Sequence, residues 1–313
     1  MPADALTRIG TVTLNPAFDL TIPLPRLERG EVNRAQGAEL RPAGKGVNVS
    51  VMLSVLGEPS RATGLLGAAD CAAFEEFLRP LGIISDFEPV PGHCRINVKL
   101  VETEAGEVTD INSPGPTVAA GSLAALKQRM GHAPELMVLA GSLPPGLEAG
   151  AWAELVRHLS GAGRRVLLDT SGPAFAAALE VKPYLVKPNR AELAEMLGRS
   201  LPDRAAVVAA AREVQQRGVS HVVVSAGGEG ALFALPQAML WVRPPAVPLT
   251  TTVGAGDALV AGLAAGLARG LDAEALARLA TGCAAAAVSR PPEGLPTAAE
   301  IARLAEAAHV ERL

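Results

Sequence analysis

The sequence predicts an α/β fold built on a mainly parallel sheet, with a smaller second sheet set into it. Three observations lead there. Short, continuous apolar runs alternate with segments of helical period that end near glycine, the rhythm of strands joined by crossover helices. The 313 residues are 49% hydrophobic but only 3% aromatic, so the core must be built from Ala, Val and Leu, as in helices packed on a parallel sheet. Two segments break the rhythm with an alternation of period two, the mark of half-buried strands.

In chain order, the strand candidates of the main sheet are residues 9–14, 136–139, 165–168, 185–186 and 221–224. Between them, helical segments run over 48–56 before Gly57, 151–159 before Gly161, 191–197 before Gly198 and 205–216 before Gly218. From 258 to 288 the pattern is helical almost throughout. The segments 21–40 and 94–112 carry the two-residue period; in the second, Ile96, Val98 and Leu100 share a face and Glu104-Ala105-Gly106 forms a turn. Both are inserted between elements of the main sheet. They are expected to close as a lid, about 16–40 and 93–113, over the carboxyl ends of its strands, where open α/β sheets bind ligands. No repeat or low-complexity linker divides the chain, so one domain over 1–313 is expected.

Composition excludes several classes. The net charge of −4, with Lys and Arg dispersed, leaves no basic stripe for nucleic acid. Apolar stretches such as the one from Ala258 are interrupted by glycine within a few residues, so no membrane span is expected. The 3 cysteines, Cys71, Cys94 and Cys283, are far apart and in no metal-ligand spacing, and a charged-then-apolar leader is lacking; a reduced, cytoplasmic setting is expected. The 5 histidines form no i, i+4 pair with a glutamate, which argues against a protein-held transition metal.

The chemistry concentrates in TTVGAGDALVAGL (251–263). Gly254 and Gly256 permit a tight turn and the apolar run from Ala258 reads as a buried helix, which puts Asp257 in its first turn. Unpaired N–H groups and the positive end of the helix dipole attract an anion there, and a carboxylate beside an anion site suggests phosphoryl transfer. A plain helix start with Asp near the N-cap gives the same string. A second glycine-framed helix start, RPAGKGVNVSVMLSVLG (41–57), sets Lys45 between Gly44 and Gly46, which suits a phosphate or a sugar hydroxyl, or merely a solvated lysine. It is not a Walker loop, and no strand leads into a Gly-x-Gly-x-x-Gly dinucleotide turn.

Lys187-Pro188-Asn189 and Glu192 follow a predicted strand. Asn189 and Glu192, one helical turn apart, suit a hydrated Mg²⁺ on nucleotide phosphates and equally an N-capping box; spacing does not separate the two. Ser225-Ala226-Gly227-Gly228-Glu229-Gly230 reads as a hairpin turn or as a turn lying against a nucleotide. Asp19, in LNPAFD, and Arg95 are isolated charges with apolar neighbours, whose usual fate is a surface ion pair.

Taken together, TLNPAFD, AGKGVNV, RINVKL, GSLPPG, DTSG, KPNRAEL and TTVGAGDALVAG, in this order, resemble the ribokinase-like sugar kinases, specifically their phosphofructokinase B group, over about 11–288. ERGEVNR, RPAGKGVNV and CRINVKLVETEAGEVTDIN are most similar to its bacterial 1-phosphofructokinase branch. The resemblance implies a ribokinase-like three-layer αβα core with a mainly parallel sheet and a small β-sheet lid that often mediates dimers, hence a homodimer through the lid.

The resemblance also implies roles. Asp257 would be the general base, and the amides of Gly254, Ala255 and Gly256 the anion hole. Asp19 and Asn48 would hold sugar hydroxyls, while Lys45 and Arg95, with Gly44 and Asn97 nearby, would face the phosphate already on the sugar. Lys187, Asn189 and Glu192 would serve the phosphates of ATP and Mg²⁺, Glu192 through water. Ser225, Gly227, Gly228, Glu229 and Gly230, with the helix around Gly282, would line the ATP site. Ala43, Ala226 and Ala258 depart from the broader family pattern, the first in a way the 1-phosphofructokinase branch shares. The implied reaction is phosphorylation of the 6-hydroxyl of fructose 1-phosphate; the alternatives are a tagatose 6-phosphate or fructose 6-phosphate kinase, and a non-catalytic sugar-phosphate-binding regulator, which would need no Asp257.

Overall fold

The computed structural model describes residues 7–119, 121–250, 253–290 and 294–313. Its first half runs β1 (Ile9–Thr13), β2 (Ala17–Leu24), β3 (Glu39–Ala43), α1 (Lys45–Val55), β4 (Ser60–Gly67), α2 (Cys71–Leu78), β5 (Ile84–Val90), β6 (Arg95–Glu102), β7 (Glu107–Asn112), α3 (Ser122–Arg129) and β8 (Leu136–Ala140). There follow α4 (Ala151–Gly161), β9 (Arg165–Asp169), α5 (Gly172–Leu179), β10 (Leu185–Val186), α6 (Arg190–Leu197), α7 (Arg204–Gln216), β11 (His221–Ser225), β12 (Ala231–Ala234), β13 (Met239–Arg243), α8 (Ala255–Arg269), α9 (Ala273–Val288), α10 (Ala298–Ala307) and β14 (His309–Arg312).

The main sheet is 10-stranded in the order β14-β13-β12-β11-β10-β9-β8-β1-β4-β5. From β5 to β11 every pairing is parallel, and β12, β13 and β14 extend that edge antiparallel. Strands such as IGTVT and LMVLA are buried at every position because helices cover both faces, so they read as unbroken apolar runs. One core cluster gathers α4, α5 and α7 on one face, and another gathers α8 and α9 on the other. The helical stretch from Ala258 is divided at Gly270, whose left-handed φ of 69° ends α8; Asp272 then caps α9 by accepting from the Ala275 N–H at 2.9 Å.

The lid is a 4-stranded sheet in the order β3-β2-β6-β7. It is shorter than the expected segment in one place and longer in another. Residues 25–38 form no strand, because RLERGEVNRAQG lacks alternating apolar positions, while β3 carries the lid on to Ala43. Glu104-Ala105-Gly106 lies in the turn between β6 and β7. Thr251 and Thr252 lie outside the described residues, as do residues 1–6 of the expected single domain.

Candidate active site

Two helices start at the carboxyl end of the sheet. In α1, a Cβ on Gly46 would stand 2.9 Å from the Val12 carbonyl oxygen and overlap Thr13 Oγ1, so only glycine lets this helix begin directly on β1. Gly44 is its N-cap. In α8, the N-cap Gly254 adopts a left-handed φ of 80°, and no side chain caps the helix. The first-turn amides therefore point outward without a side-chain acceptor, as an anion cradle requires.

The start of α8 is a wall between two cavities. One, of about 100 Å³, lies under the lid and is lined by Asp19, Arg41, Asn48, Lys99, Gly254 and Asp257 among others. The second, of about 610 Å³, has Ala255 and Gly256 on its inner side and extends along Ser225, Gly227, Gly228, Pro245, Val247, Thr281 and Ala285. Its size suits a nucleotide. A group bound in one cavity meets a group bound in the other at Asp257 and the adjoining amides.

Asp257 is 7% exposed, and its Oδ2 accepts from Asn48 Nδ2 at 2.8 Å. Burial, aided by the nearby Asp169 carboxylate, pushes its carboxyl up to about 6 against the opposing pull of Lys45, Asn48 and Lys187. Asp169, at the end of β9, is 1% exposed and carries two cations: Lys187 Nζ lies 3.2 Å from one oxygen and Lys45 Nζ 3.3 Å from the other. Burial alone would raise its carboxyl, but the two ammonium groups outweigh it and hold the group ionised, below its usual range. Lys187 also borders the helix start, since a Cβ on Gly256 would sit 3.6 Å from its Nζ.

The lid divides its side chains by register. Asp19 stands opposite Arg41 and Asn97, and Thr21 opposite Glu39 and Lys99, so these residues share the face toward the site. Asp19 accepts from Asn97 Nδ2 at 3.1 Å and from the Lys99 ammonium, itself only 6% exposed. Arg95 starts β6 with Nε on the Asn15 carbonyl at 3.3 Å and Nη1 on the Ser113 carbonyl at 3.0 Å, which ties the base of the lid to the end of β1. Asn15 adds a bond from Nδ2 to Pro114 O at 3.0 Å.

Other expected residues divide. Asn189 and Glu192 close the capping box of α6, with both bonds at 2.8 Å. The 225–230 segment is a hairpin turn between β11 and β12, and Ser225, Gly227, Gly228 and Gly230 also line the larger cavity. Glu229 turns its carboxylate to Arg190 at 2.7 Å. Gly282 faces α10, where its Cβ would come within 2.8 Å of the Ala305 backbone nitrogen; Thr281 and Ala285, its neighbours, face the cavity instead. Asp169, Lys99 and Thr281 escaped sequence reasoning. Thr281 Oγ1 is buried in the cavity wall without a hydrogen-bond partner.

A helix-start anion cradle, a buried carboxylate beside it and paired lysines behind it define a small-molecule phosphotransferase on an α/β sheet. Residues 12–298 match the pfkB family carbohydrate kinases, and the chain belongs to that family. It is accordingly a kinase that takes ATP as phosphate donor for a carbohydrate. The chain is 46% identical to the 1-phosphofructokinase of Xanthomonas campestris, covering 87% of this chain and 88% of that one. It is 40% identical to the 1-phosphofructokinase of Rhodobacter capsulatus, covering 98% of both. Among solved structures, phosphofructokinase-2 from Escherichia coli in complex with substrates and products superposes with a TM-score of 0.91 at 27% identity, over 96% of this chain and 99% of that one. A possible 1-phosphofructokinase from Thermotoga maritima superposes with a TM-score of 0.88 at 29% identity, over 97% and 99%. Among the described residues no helix is long and apolar enough to cross a membrane.

Proposed function

We propose that the chain transfers the γ-phosphoryl group of ATP to the 6-hydroxyl of fructose 1-phosphate, giving fructose 1,6-bisphosphate. The observation that carries the substrate is the identity of 39–46% to relatives named 1-phosphofructokinase, over 87–98% of this chain. A specific likeness supports fructose 6-phosphate as the second reading: the structure of Escherichia coli phosphofructokinase-2 with that sugar superposes with a TM-score of 0.90, at the lower identity of 27% over 96% of this chain and 99% of that one.

In this reading the sugar lies under the lid, with Asp19 and Asn48 on its hydroxyls. Arg95, with Asn97 nearby, faces the phosphate already present; a guanidinium has five N–H donors and the two carbonyl bonds leave others for a ligand. Asp257 takes the proton of the attacking hydroxyl, a role its depth and its bond to Asn48 suit, and general-base help is worth about 10²- to 10⁴-fold. The amides of Ala255 and Gly256 cradle the phosphoryl group as it moves.

ATP occupies the larger cavity. Among the described residues no group of three or more His, Cys, Asp and Glu is placed around a metal ion. Glu192 would reach a nucleotide-bound Mg²⁺ through water, from the oxygen that the capping box leaves over, and the ion would supply charge neutralisation of the phosphates. The lid's outer row of Leu20, Leu40, Val98 and Ile111, in which Leu40 is 53% and Ile111 54% exposed, supports a homodimer through the lid. Light scattering on the wild type and Ile111→Glu checks it, with the variant expected at half the mass. Use of ATP and a sugar phosphate supports a cytoplasmic setting.

Initial rates with ATP, Mg²⁺ and equal fructose 1-phosphate, fructose 6-phosphate or tagatose 6-phosphate test the substrate. The largest kcat/KM should fall to fructose 1-phosphate. A preference for either 6-phosphate reassigns it, and no turnover with any of them supports a non-catalytic binder.

A further inference from the structure

The resemblance assigns Lys45 to the phosphate the sugar brings with it, but its ion pair ties it to the residues behind the start of α8. Its ammonium stands 3.3 Å from Asp169, which holds Lys187 at 3.2 Å on its second oxygen. Lys187 in turn borders Gly256, in the amide cradle at the start of α8. One fully buried carboxylate thus fixes two cations beside the point where the two cavities meet. The carboxylates acting on Lys45 are those of Asp169, of Asp257 at the junction of the cavities, and of Glu192; burial would depress its ammonium, and these three outweigh it. The lid's own cation, Lys99, is committed to Asp19, and Arg95 spans the carbonyls at the lid's base. The Lys45 side chain is 41% exposed where that of Lys187 is 5%, so an arriving ligand can reach its ammonium while Asp169 holds it.

We infer that Lys45 is a catalytic cation for the phosphoryl group in transit, with Asp169 as the positioning residue that holds it and Lys187 at the helix start. This deepens the kinase reading and rests on it. In the step, the bond from the γ-phosphorus to the oxygen bridging to ADP breaks, and the bond to the sugar's hydroxyl oxygen forms. The hydroxyl proton passes to Asp257, and the electron pair of the broken bond stays on ADP. Charge spreads over the moving group's peripheral oxygens, and an ammonium beside them stabilises that state more than either ground state.

The test is a comparison of Lys45→Met and Lys45→Arg with the wild type, using fructose 1-phosphate and ATP. A charge-assisted contact made chiefly in the transition state predicts that Lys45→Met loses about 10- to 100-fold in kcat. KM for the sugar phosphate, and its Kd measured by calorimetry without nucleotide, should stay within about threefold of wild type. Lys45→Arg, which keeps the pair with Asp169, should recover part of the lost kcat, and thermal unfolding checks that both variants fold. Should the methionine variant not fold, the arginine variant decides by the same split between kcat and KM. A rise of about tenfold or more in sugar-phosphate KM or Kd overturns the inference in favour of a sugar-phosphate contact, and so does an unchanged kcat in Lys45→Met. Wild-type turnover of fructose 1-phosphate tests the underlying reading separately; if another sugar phosphate is preferred, the same split is measured with that sugar.

Discussion

The two cavities that meet at the start of α8 differ in the charge of their walls. Under the lid, about 100 Å³ is bounded on one side by apolar residues such as Val51, Met52 and Leu295 and on the other by charged and amide side chains already engaged within the protein: Asp19 with Lys99 and with Asn97 of the same sheet, Asp257 with Asn48. Across the helix, about 610 Å³ is bounded by glycine, alanine, proline and valine, with the Thr281 hydroxyl unpartnered in its wall. In the proposed reading, the first would recognise its ligand by charges fixed in advance, the second by shape and backbone amides. Removing a polar group should therefore be costly on the lid side, and adding bulk should be costly on the other.

The largest expected effect is at the shared wall. Asp257→Asn should lose at least about 100-fold in turnover and leave the KM for ATP within about twofold. It should also melt higher at pH 8. The carboxyl titrates at about 6 in the folded protein against 3.8 for the unfolded chain, so stability falls as pH rises from about 4 to about 6 and stays reduced above that. The amide removes that penalty, worth roughly 3 kcal/mol at about 1.4 kcal/mol per pH unit. Calorimetry checks the sign; a lower melting temperature would show that the charge is not strained.

On the lid side, Lys99→Met removes a cation from a buried pair and leaves Asp19 without it. Sugar-phosphate KM should rise about 10- to 100-fold and ATP KM stay within about twofold, measured by initial rates. Equal effects on both substrates would erase the contrast between the cavities. On the nucleotide side, Ala284→Leu should raise ATP KM about tenfold, because the new side chain projects into the cleft. Thr281→Val should raise it only about 2- to 10-fold, the worth of one neutral hydrogen bond, without lowering the melting temperature.

The same contrast explains what was legible in the sequence. β1 and β8 to β11 could be read because strands covered on both faces are short, unbroken apolar runs. β4, with SRATGLLG, was hidden by its glycines, arginine and threonine, although it too lies inside the sheet. In the lid, the alternation was read on the phase of Ile96, Val98 and Leu100; the opposite phase holds Asn97 and Lys99, so the missing cation was in the same signal one residue over. Asp169 was not legible because its partner Lys45 is 124 positions away and nothing local marks the pair. Thr281 sits in an alanine-rich helix, where no motif distinguishes a hydroxyl facing a cavity from one facing a neighbouring helix. Asn189 and Glu192 show the reverse limit. Their spacing fitted two uses, and only the folded chain shows that the cap is closed.

The central claim is that Asp257, buried at the junction of the cavities, accepts the proton of the sugar hydroxyl. The direct measurement is the pH dependence of kcat/KM for fructose 1-phosphate in the wild type and in Asp257→Asn. The wild type should rise with slope one on the acid side and level off near pH 6, where the carboxyl ionises, and the variant should run flat at about a hundredth of the plateau or less. A variant that keeps both the acid limb and most of the rate would assign the proton to another group.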